Sequence, residues 1–139
     1  MIKYVIILFL TLLFNTAFSH AEDTSIIDNL ERDARAWLQT IDRAQYKDGW
    51  KNASHLMQKA TPEAKWVNTM QSTRKPLGTM KNRYLASAGT TETVSGFPDG
   101  DYTILQYYTQ FQHKQLILET VTLLKKNNGG WSIVDYATR

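Results

Sequence analysis

The runs DYTILQYYTQFQH (residues 101–113) and LILETVTLLKK (residues 116–126) decide the fold of this chain. Both are dense in β-branched and aromatic residues, which favour strands, and only His113, Lys114 and Gln115 are free to make the turn between them. The pattern predicts two long antiparallel strands joined as a hairpin. Because a sheet this apolar needs a cover, we expect the preceding part of the chain to pack on one of its faces.

Two further strands are predicted on either side of this hairpin. Residues 80–94 favour a strand with a bend or bulge at Gly89, because glycine inside a strand often marks such an irregularity. After the hairpin, the Asn-Asn-Gly-Gly run at 127–130 predicts a turn into a last strand at 131–138. The second half of the chain is therefore predicted to form a four-stranded antiparallel meander.

The region before the sheet begins with an amphipathic pattern. Apolar side chains recur every three or four positions over residues 25–44, and Ser25 and Asp28 have the spacing of a capping box at a helix start. Gly49 beside an aspartate predicts a bend, so that a second, shorter helix occupies residues 48–59.

A third helix is predicted after Thr61-Pro62-Glu63. Thr61 can serve as the hydroxyl cap, Pro62 is tolerated in the first turn, and the helix has to end before Pro76. Each of the three helices carries one tryptophan, and we expect all three indoles to anchor their helix to the sheet; the alternative is a stacked aromatic ligand site. These residues are Trp37, Trp50 and Trp66. The predicted class is α+β, with three N-terminal helices on one face of a four-stranded meander.

The N-terminus has the features of a secretory signal peptide over residues 1–21. Lys3 supplies a positive start, an uncharged apolar run follows, and Ser19-His20-Ala21 fits a small-x-small cleavage site. A membrane anchor is the alternative, but the apolar run is short for a span. We therefore expect residues 22–139 to form a single domain, periplasmic or secreted and free of the membrane after cleavage. The chain has no cysteine, which excludes disulfides and thiolate metal sites.

The charge of the chain excludes some partners. A net charge of +3 is too small to predict nucleic acid or an anionic membrane as a partner. Six basic residues between 59 and 83 stand against Glu63 alone, and we interpret this stretch as a solvated basic face in preference to an anion site. His55 and His113 lack metal-ligand spacing to other ligands, so neither a metal nor a cofactor is predicted.

Glu119 is the first candidate for chemistry because it lies in the middle of the most apolar predicted strand. If it faces the interior it needs a partner, which Arg74 or Arg83 could supply through a two-pronged contact. One hypothesis makes Glu119 a general base in a pocket, with Tyr107 or Tyr136 polarising a carbonyl. The interpretation we favour makes it half of a structural ion pair, or a residue facing solvent.

The order and spacing of several short motifs resemble a family of bacterial exported proteins, domain of unknown function 4019. The resemblance covers nearly all of the chain after residue 21 and implies a small exported domain with no established activity. By analogy, the element order is also similar to the cone-shaped folds of the nuclear-transport-factor-2-like or cystatin-like kind, which carries no function with it. The matching motifs are Ala36-Trp37-Leu38, Tyr46-x-x-x-Trp50, Trp66, Arg74-x-Pro-Leu-Gly78, Arg83, Pro98-Asp-Gly-x-Tyr102, Phe111, Glu119-Thr-Val121 and Gly130-Trp131.

Three functions follow as hypotheses. The first is a non-catalytic exported module that binds a small ligand or a protein through the concave or outer face of the sheet. The second is a small pocket enzyme of the isomerase or dehydratase kind that uses Glu119 as its base. The third is an assembly protein that forms a homodimer sheet to sheet. Aromatic residues alternate over both faces of the first hairpin strand, where they could line a concave pocket or form a partner surface; they are Tyr102, Tyr107, Tyr108 and Phe111. The candidate pocket residues are Arg74, Tyr107, Glu119 and Tyr136.

Overall fold

The computed structural model describes residues 18–139, with side chains from residue 24 onward. Residues 1–17 of the predicted signal peptide lie outside this part, and cleavage after Ala21 stays a prediction. The helices of the described chain are α1 (Phe18–Asp42), α2 (Tyr46–Lys51), α3 (His55–Ala60) and α4 (Glu63–Thr73), followed by a 3-10 turn at Lys75–Leu77. The strands are β1 (Met80–Thr91), β2 (Tyr102–Phe111), β3 (Ile117–Lys125) and β4 (Trp131–Thr138).

The four strands form one sheet in the order β1-β2-β3-β4, and every neighbouring pair is antiparallel. The predicted meander and the α+β class are therefore confirmed. The β2–β3 turn is closed by the Phe111 N–H, which donates to the Lys114 carbonyl at 2.8 Å. Gly129 has a φ of 84° in the β3–β4 turn, a conformation that favours glycine.

The helix predicted at 25–44 starts earlier than its capping pattern indicates. α1 begins at Phe18, so Ser25 lies inside the helix and does not cap its start. No proline or glycine occurs between residues 18 and 25 to end the helix there. The capping pattern at Ser25 therefore does not set the start of the helix, because the residues before it also form helix.

Gly49 lies inside helix α2 and makes no bend, contrary to the prediction. A Cβ atom at this position would come within 2.5 Å of the Ile41 side chain and 3.8 Å of Trp37. The glycine therefore permits α2 to approach α1 closely. The chain turns instead at Ala44, which has a φ of 58°. The second predicted helix is split into α2 and α3.

Two more local predictions were wrong. Helix α4 is capped at Pro62, which makes no side-chain cap hydrogen bond, and Thr61 is not its cap. Strand β1 has its register shifts near Lys81 and Ala86, while Gly89 pairs regularly with Ile104. A glycine permits an irregularity, but the pairing of the whole strand decides where the extra residue is accommodated.

The core lies between the helices and the inner face of the sheet, and its centre is aromatic. Trp37 and Trp66 lie 6.0 Å apart, and both make edge contacts with Tyr136 of β4. The Trp37 Nε1–H donates to the Gly49 carbonyl and the Trp66 Nε1–H to the Tyr46 carbonyl, each at 2.8 Å. Trp50 is partly buried against the same cluster. The prediction that the indoles anchor their helices to the sheet is confirmed for Trp37 and Trp66, whereas the Trp50 Nε1–H donates to the Thr61 carbonyl at 2.7 Å.

Candidate functional site

Glu119 lies on the helix-facing side of β3, close to the end where β2 and β3 join. It is fully buried, with 0% of its surface exposed. The strands on both sides direct polar side chains toward it: Arg83 from β1, Thr109 from β2 and Tyr136 from β4. Arg83 and Thr109 are register partners. The carboxylate is therefore the point at which all four strands meet through side chains.

Four hydrogen bonds occupy the two oxygens of this carboxylate. Arg83 Nε donates to Oε1 at 2.7 Å and Arg83 Nη2 donates to Oε2 at 3.2 Å. The Thr109 hydroxyl donates to Oε1, and the Tyr136 hydroxyl donates to Oε2 at 2.5 Å. An ionised carboxylate has about four acceptor positions. Glu119 thus has no acceptor position left for a substrate.

Arg83 links Glu119 to a second carboxylate at the C-terminal end of α1. Its Nη1 and Nη2 atoms donate to the two oxygens of Asp42, at 2.8 and 2.9 Å. Burial alone would lower the pKa of Arg83, but the hydrogen bonds to Asp42 and Glu119 raise it above its ordinary value. This guanidinium is therefore permanently charged and bridges the sheet and α1.

Arg74, at the end of α4, completes the network. Its Nη2 atom donates to Asp42 Oδ1 at 3.1 Å and its Nη1 atom donates to the Gly78 carbonyl at 2.9 Å. The guanidinium also lies over the Phe111 ring, 4.3 Å from its centroid. The ion network is defined as Asp42, Arg74, Arg83 and Glu119, two acids and two bases whose charges cancel.

The two candidate tyrosines differ in their hydrogen bonding. Burial, followed by the nearby charge of Glu119, raises the pKa of Tyr136 well above its ordinary value, so its hydroxyl stays protonated and donates to Glu119. Burial also raises the pKa of Tyr107, the register partner of Glu119. The Tyr107 hydroxyl is buried without a hydrogen-bond partner in the described part of the chain, and Arg35 lies over its ring at 5.3 Å.

The structure joins three of the four predicted pocket residues through hydrogen bonds and leaves the fourth beside them. Glu119 contacts Tyr136 directly and reaches Arg74 through Arg83 and Asp42, whereas Tyr107 is a neighbour without a hydrogen bond. The predicted two-pronged arginine contact is confirmed for Arg83. The predicted solvated basic face is wrong for Arg74 and Arg83, which are 3% and 9% exposed, because the carboxylates of Asp42 and Glu119 compensate their charges.

Sequence reasoning missed Asp42 as a member of the network. Its position continues the buried side of α1 one turn beyond Leu38, after Leu30 and Ala34. A charged residue on an otherwise apolar helical side was the available signal. Thr109 was also missed, because a threonine in a strand is ordinary and gives no signal of its own.

The two tyrosines form a matched pair for mutagenesis. Tyr136→Phe removes a hydrogen bond to a buried charge, and we expect it to lower the free energy of unfolding by about 1.5–3 kcal/mol. Tyr107→Phe removes a buried hydroxyl that has no partner, and we expect an unchanged or higher free energy of unfolding, by up to about 1 kcal/mol. Urea denaturation followed by circular dichroism measures both. Equal destabilisation by the two substitutions would contradict the assigned hydrogen bonds.

A groove of about 910 Å³ lies at the other end of the sheet, beneath the N-terminal half of α1. Its roof includes Ile26 and Ile27, which are 48% and 39% exposed, together with the buried Leu30. Its floor and rim come from the end of β1, the start of β2, the end of β3 and the start of β4. These residues are Ala88, Gly89, Thr90, Thr91, Glu92, Thr93, Asp101, Tyr102, Thr103, Lys125 and Trp131.

The fold and the ion network define a small α+β domain whose helices are fastened to an antiparallel meander by buried charges. Comparison with protein families gives a match over residues 33–136 to the family described as "Protein of unknown function (DUF4019)". The chain belongs to this family. Comparison with the curated proteins gives no matching relative. Within residues 18–139, no helix combines the length and the apolarity needed to cross a membrane.

Proposed function

We propose that this protein is an exported, non-catalytic binding module that holds a small ligand in the groove between α1 and the sheet. The observation that carries the proposal is the contrast between the two ends of the sheet. At one end Glu119 is enclosed and fully hydrogen-bonded. At the other end an open groove has partly exposed apolar side chains in its roof. Its volume lies in the range of small-molecule sites.

The same contrast argues against the pocket-enzyme hypothesis. A general base has to come within hydrogen-bond reach of the proton it removes. Glu119 does not line the groove, and all of its acceptor positions are occupied by protein donors. A substrate could reach it only by displacing Arg83, Thr109 or Tyr136. The ion network is better explained as a structural element.

The lining of the groove favours a ligand with an apolar body and a neutral or cationic hydrogen-bonding group. Ile26, Ile27, Leu30 and Trp131 provide apolar contact surface. Threonine hydroxyls on β1 and β2 can donate or accept hydrogen bonds. At the rim, Glu92 and Asp101 outweigh Lys125, so the local charge favours cations over anions.

Export to the periplasm or the cell exterior is supported by the N-terminal sequence. A lysine, an uncharged apolar run and Ser19-His20-Ala21 have the order of a cleavable signal. A cysteine-free chain has no thiol to be oxidised outside the cytoplasm. The analogy with the nuclear-transport-factor-2-like or cystatin-like cone folds stays a prediction.

Binding of Nile red, a neutral apolar dye, tests the groove. We expect its fluorescence to rise on addition of the protein, and Ile27→Glu to weaken binding at least tenfold, because the substitution places a charge in the apolar roof. Fluorescence titration at constant dye concentration gives the dissociation constants. Ile27 is 39% exposed, so the substitution leaves the core intact.

Leu116→Glu is the matched control for this experiment. Leu116 is also an exposed apolar residue, at 67%, but it lies in the β2–β3 turn at the opposite end of the sheet. The control should bind Nile red as the wild type does. An absence of dye binding by the wild type, or equal losses in both variants, would overturn the groove as the ligand site.

A further inference from the structure

The outer face of the sheet, which points away from the helices, is uncharged over three of its four strands. Along each strand the side chains alternate between the two faces of the sheet, so those between the buried inner positions point outward. Charged residues make up 21% of the chain. The outward positions of β1 from Asn82 to Thr91 carry no charged residue, and neither do the positions of β2 and β3 that pair with them. Asp135 on β4 is paired with Thr122 at the margin of this surface.

The outer face is also aromatic at one end. Tyr84, Tyr108 and Leu118 are register partners across β1, β2 and β3 and form one continuous row. Tyr84 is 65% exposed and Tyr108 is 49% exposed. A row of two aromatic rings and a leucine side chain, with no charge among them, is costly to leave exposed to water. Depletion of charge and enrichment in tyrosine are features of the centres of protein interfaces.

Two pairs of polar side chains on the outer face hydrogen-bond to each other. The Asn82 amide donates to Gln110 Oε1 at 3.3 Å, and the Ser87 hydroxyl donates to Gln106 Oε1 at 2.9 Å. Because these hydrogen bonds are made within the face, covering it leaves fewer polar groups without partners. These four side chains can therefore be covered without losing the hydrogen bonds they already make.

We propose that the outer face is the interface of a two-fold homodimer in which the two sheets pack face to face. In such a dimer each position of the patch meets the same patch on the partner. A charged face would then meet like charge and repel itself, whereas an uncharged one does not. We would expect a different protein to be recognised through complementary charges, and β1 to β3 carry no charge on this face. A second copy of the chain is therefore the occupant that this face fits.

The size of the face predicts a reversible dimer. The three strands that are uncharged on this face, about 4.8 Å apart and with about eight residues each at 3.3 Å, cover about 380 Å² per copy. The total of about 760 Å² is smaller than a stable interface and falls among weak, transient contacts. The dimer should accordingly be weak, dissociating at low protein concentration. The exposed tyrosines of this face, Tyr84 and Tyr108, do not line the ligand groove, so the dimer does not depend on the proposed ligand.

Sedimentation equilibrium of the chain from residue 22 onward tests the dimer. We expect the mass to rise from monomer toward dimer between about 1 and 200 µM. Tyr108→Lys should keep the protein monomeric over this range, because two-fold symmetry places both unpaired charges in the interface. Gln39→Lys, on the exposed side of α1, adds the same charge away from the face and should dimerise as the wild type does.

A single introduced cysteine locates the contact. Gln106 lies on β2 in a middle row of the face, and the natural chain has no cysteine. Oxidation of Gln106→Cys should give a disulfide-linked dimer, whereas Gln39→Cys should stay monomeric. A wild-type mass that stays monomeric at 200 µM overturns the proposal. So does a dimer that Tyr108→Lys leaves intact, or one that only Gln39→Cys crosslinks.

Discussion

Arg83→Leu is expected to lower the free energy of unfolding by about 3–5 kcal/mol, a large fraction of the stability of a domain this size. The substitution leaves Glu119 fully buried without its counter-ion and removes two of the three arginine contacts to Asp42. The remaining donors to Glu119 are hydroxyls, which cannot neutralise its charge. Urea denaturation monitored by circular dichroism measures the loss.

A double substitution and a surface pair serve as controls for this prediction. Arg83→Leu combined with Glu119→Leu should cost less than the sum of the single changes, because no unpaired charge remains at Glu119. Lys47 and Glu63 form an ion pair at 3.4 Å in which the Lys47 side chain is 62% exposed. Lys47→Ala should therefore cost no more than about 1 kcal/mol. Additive single and double effects would show that Arg83 and Glu119 act independently.

Trp66→Ala is expected to cost about 3–5 kcal/mol of unfolding free energy. The indole is 4% exposed, contacts Trp37 and Tyr136, and donates to the Tyr46 carbonyl. Truncation opens a cavity in the centre of the core and leaves that carbonyl without this donor. The chain should unfold at a lower temperature, as measured by calorimetry, and lose near-ultraviolet circular dichroism from the aromatic cluster.

The control for Trp66→Ala is truncation of an exposed apolar residue. Leu116→Ala, at a position 67% exposed, should change the free energy of unfolding by no more than about 0.5 kcal/mol. Trp66→Phe should fall between the two, because it keeps an aromatic ring but loses the Nε1–H donor. If Trp66→Ala were as mild as Leu116→Ala, the indole could not be an anchor of the helices.

The larger elements of the fold could be predicted from the sequence because their signals are long. Runs dense in β-branched and aromatic residues around Leu105 and Val121 predicted the central strands, and the Asn-Asn-Gly-Gly run predicted the β3–β4 turn. Single-residue signals were poorer guides. Gly49 and Gly89 both suggested irregular backbone, but one provides space between two helices and the other pairs regularly. The role of each of these glycines depends on the residues that the fold packs or pairs beside it.

The site was predictable only where one buried charge demanded another. Glu119 in an apolar strand required a partner, and Arg83 was one of two residues named for that role. The role of Asp42 is evident only in the structure, where α4 and β1 place Arg74 and Arg83 at the end of α1. The groove could not be predicted, because it depends on where the start of α1 lies over the ends of the strands, and no short motif encodes this.

The cancelling charges of Asp42, Arg74, Arg83 and Glu119 have a consequence for the conditions the protein can tolerate. Mobile ions screen exposed charges within about 8 Å at physiological ionic strength, but they have little access to pairs buried in a core. Three of the four side chains in the network are at most 3% exposed. The ion network should therefore hold the helices on the sheet at both low and high salt concentration. This suits a protein proposed to work outside the cytoplasm, where no cell regulates the salt.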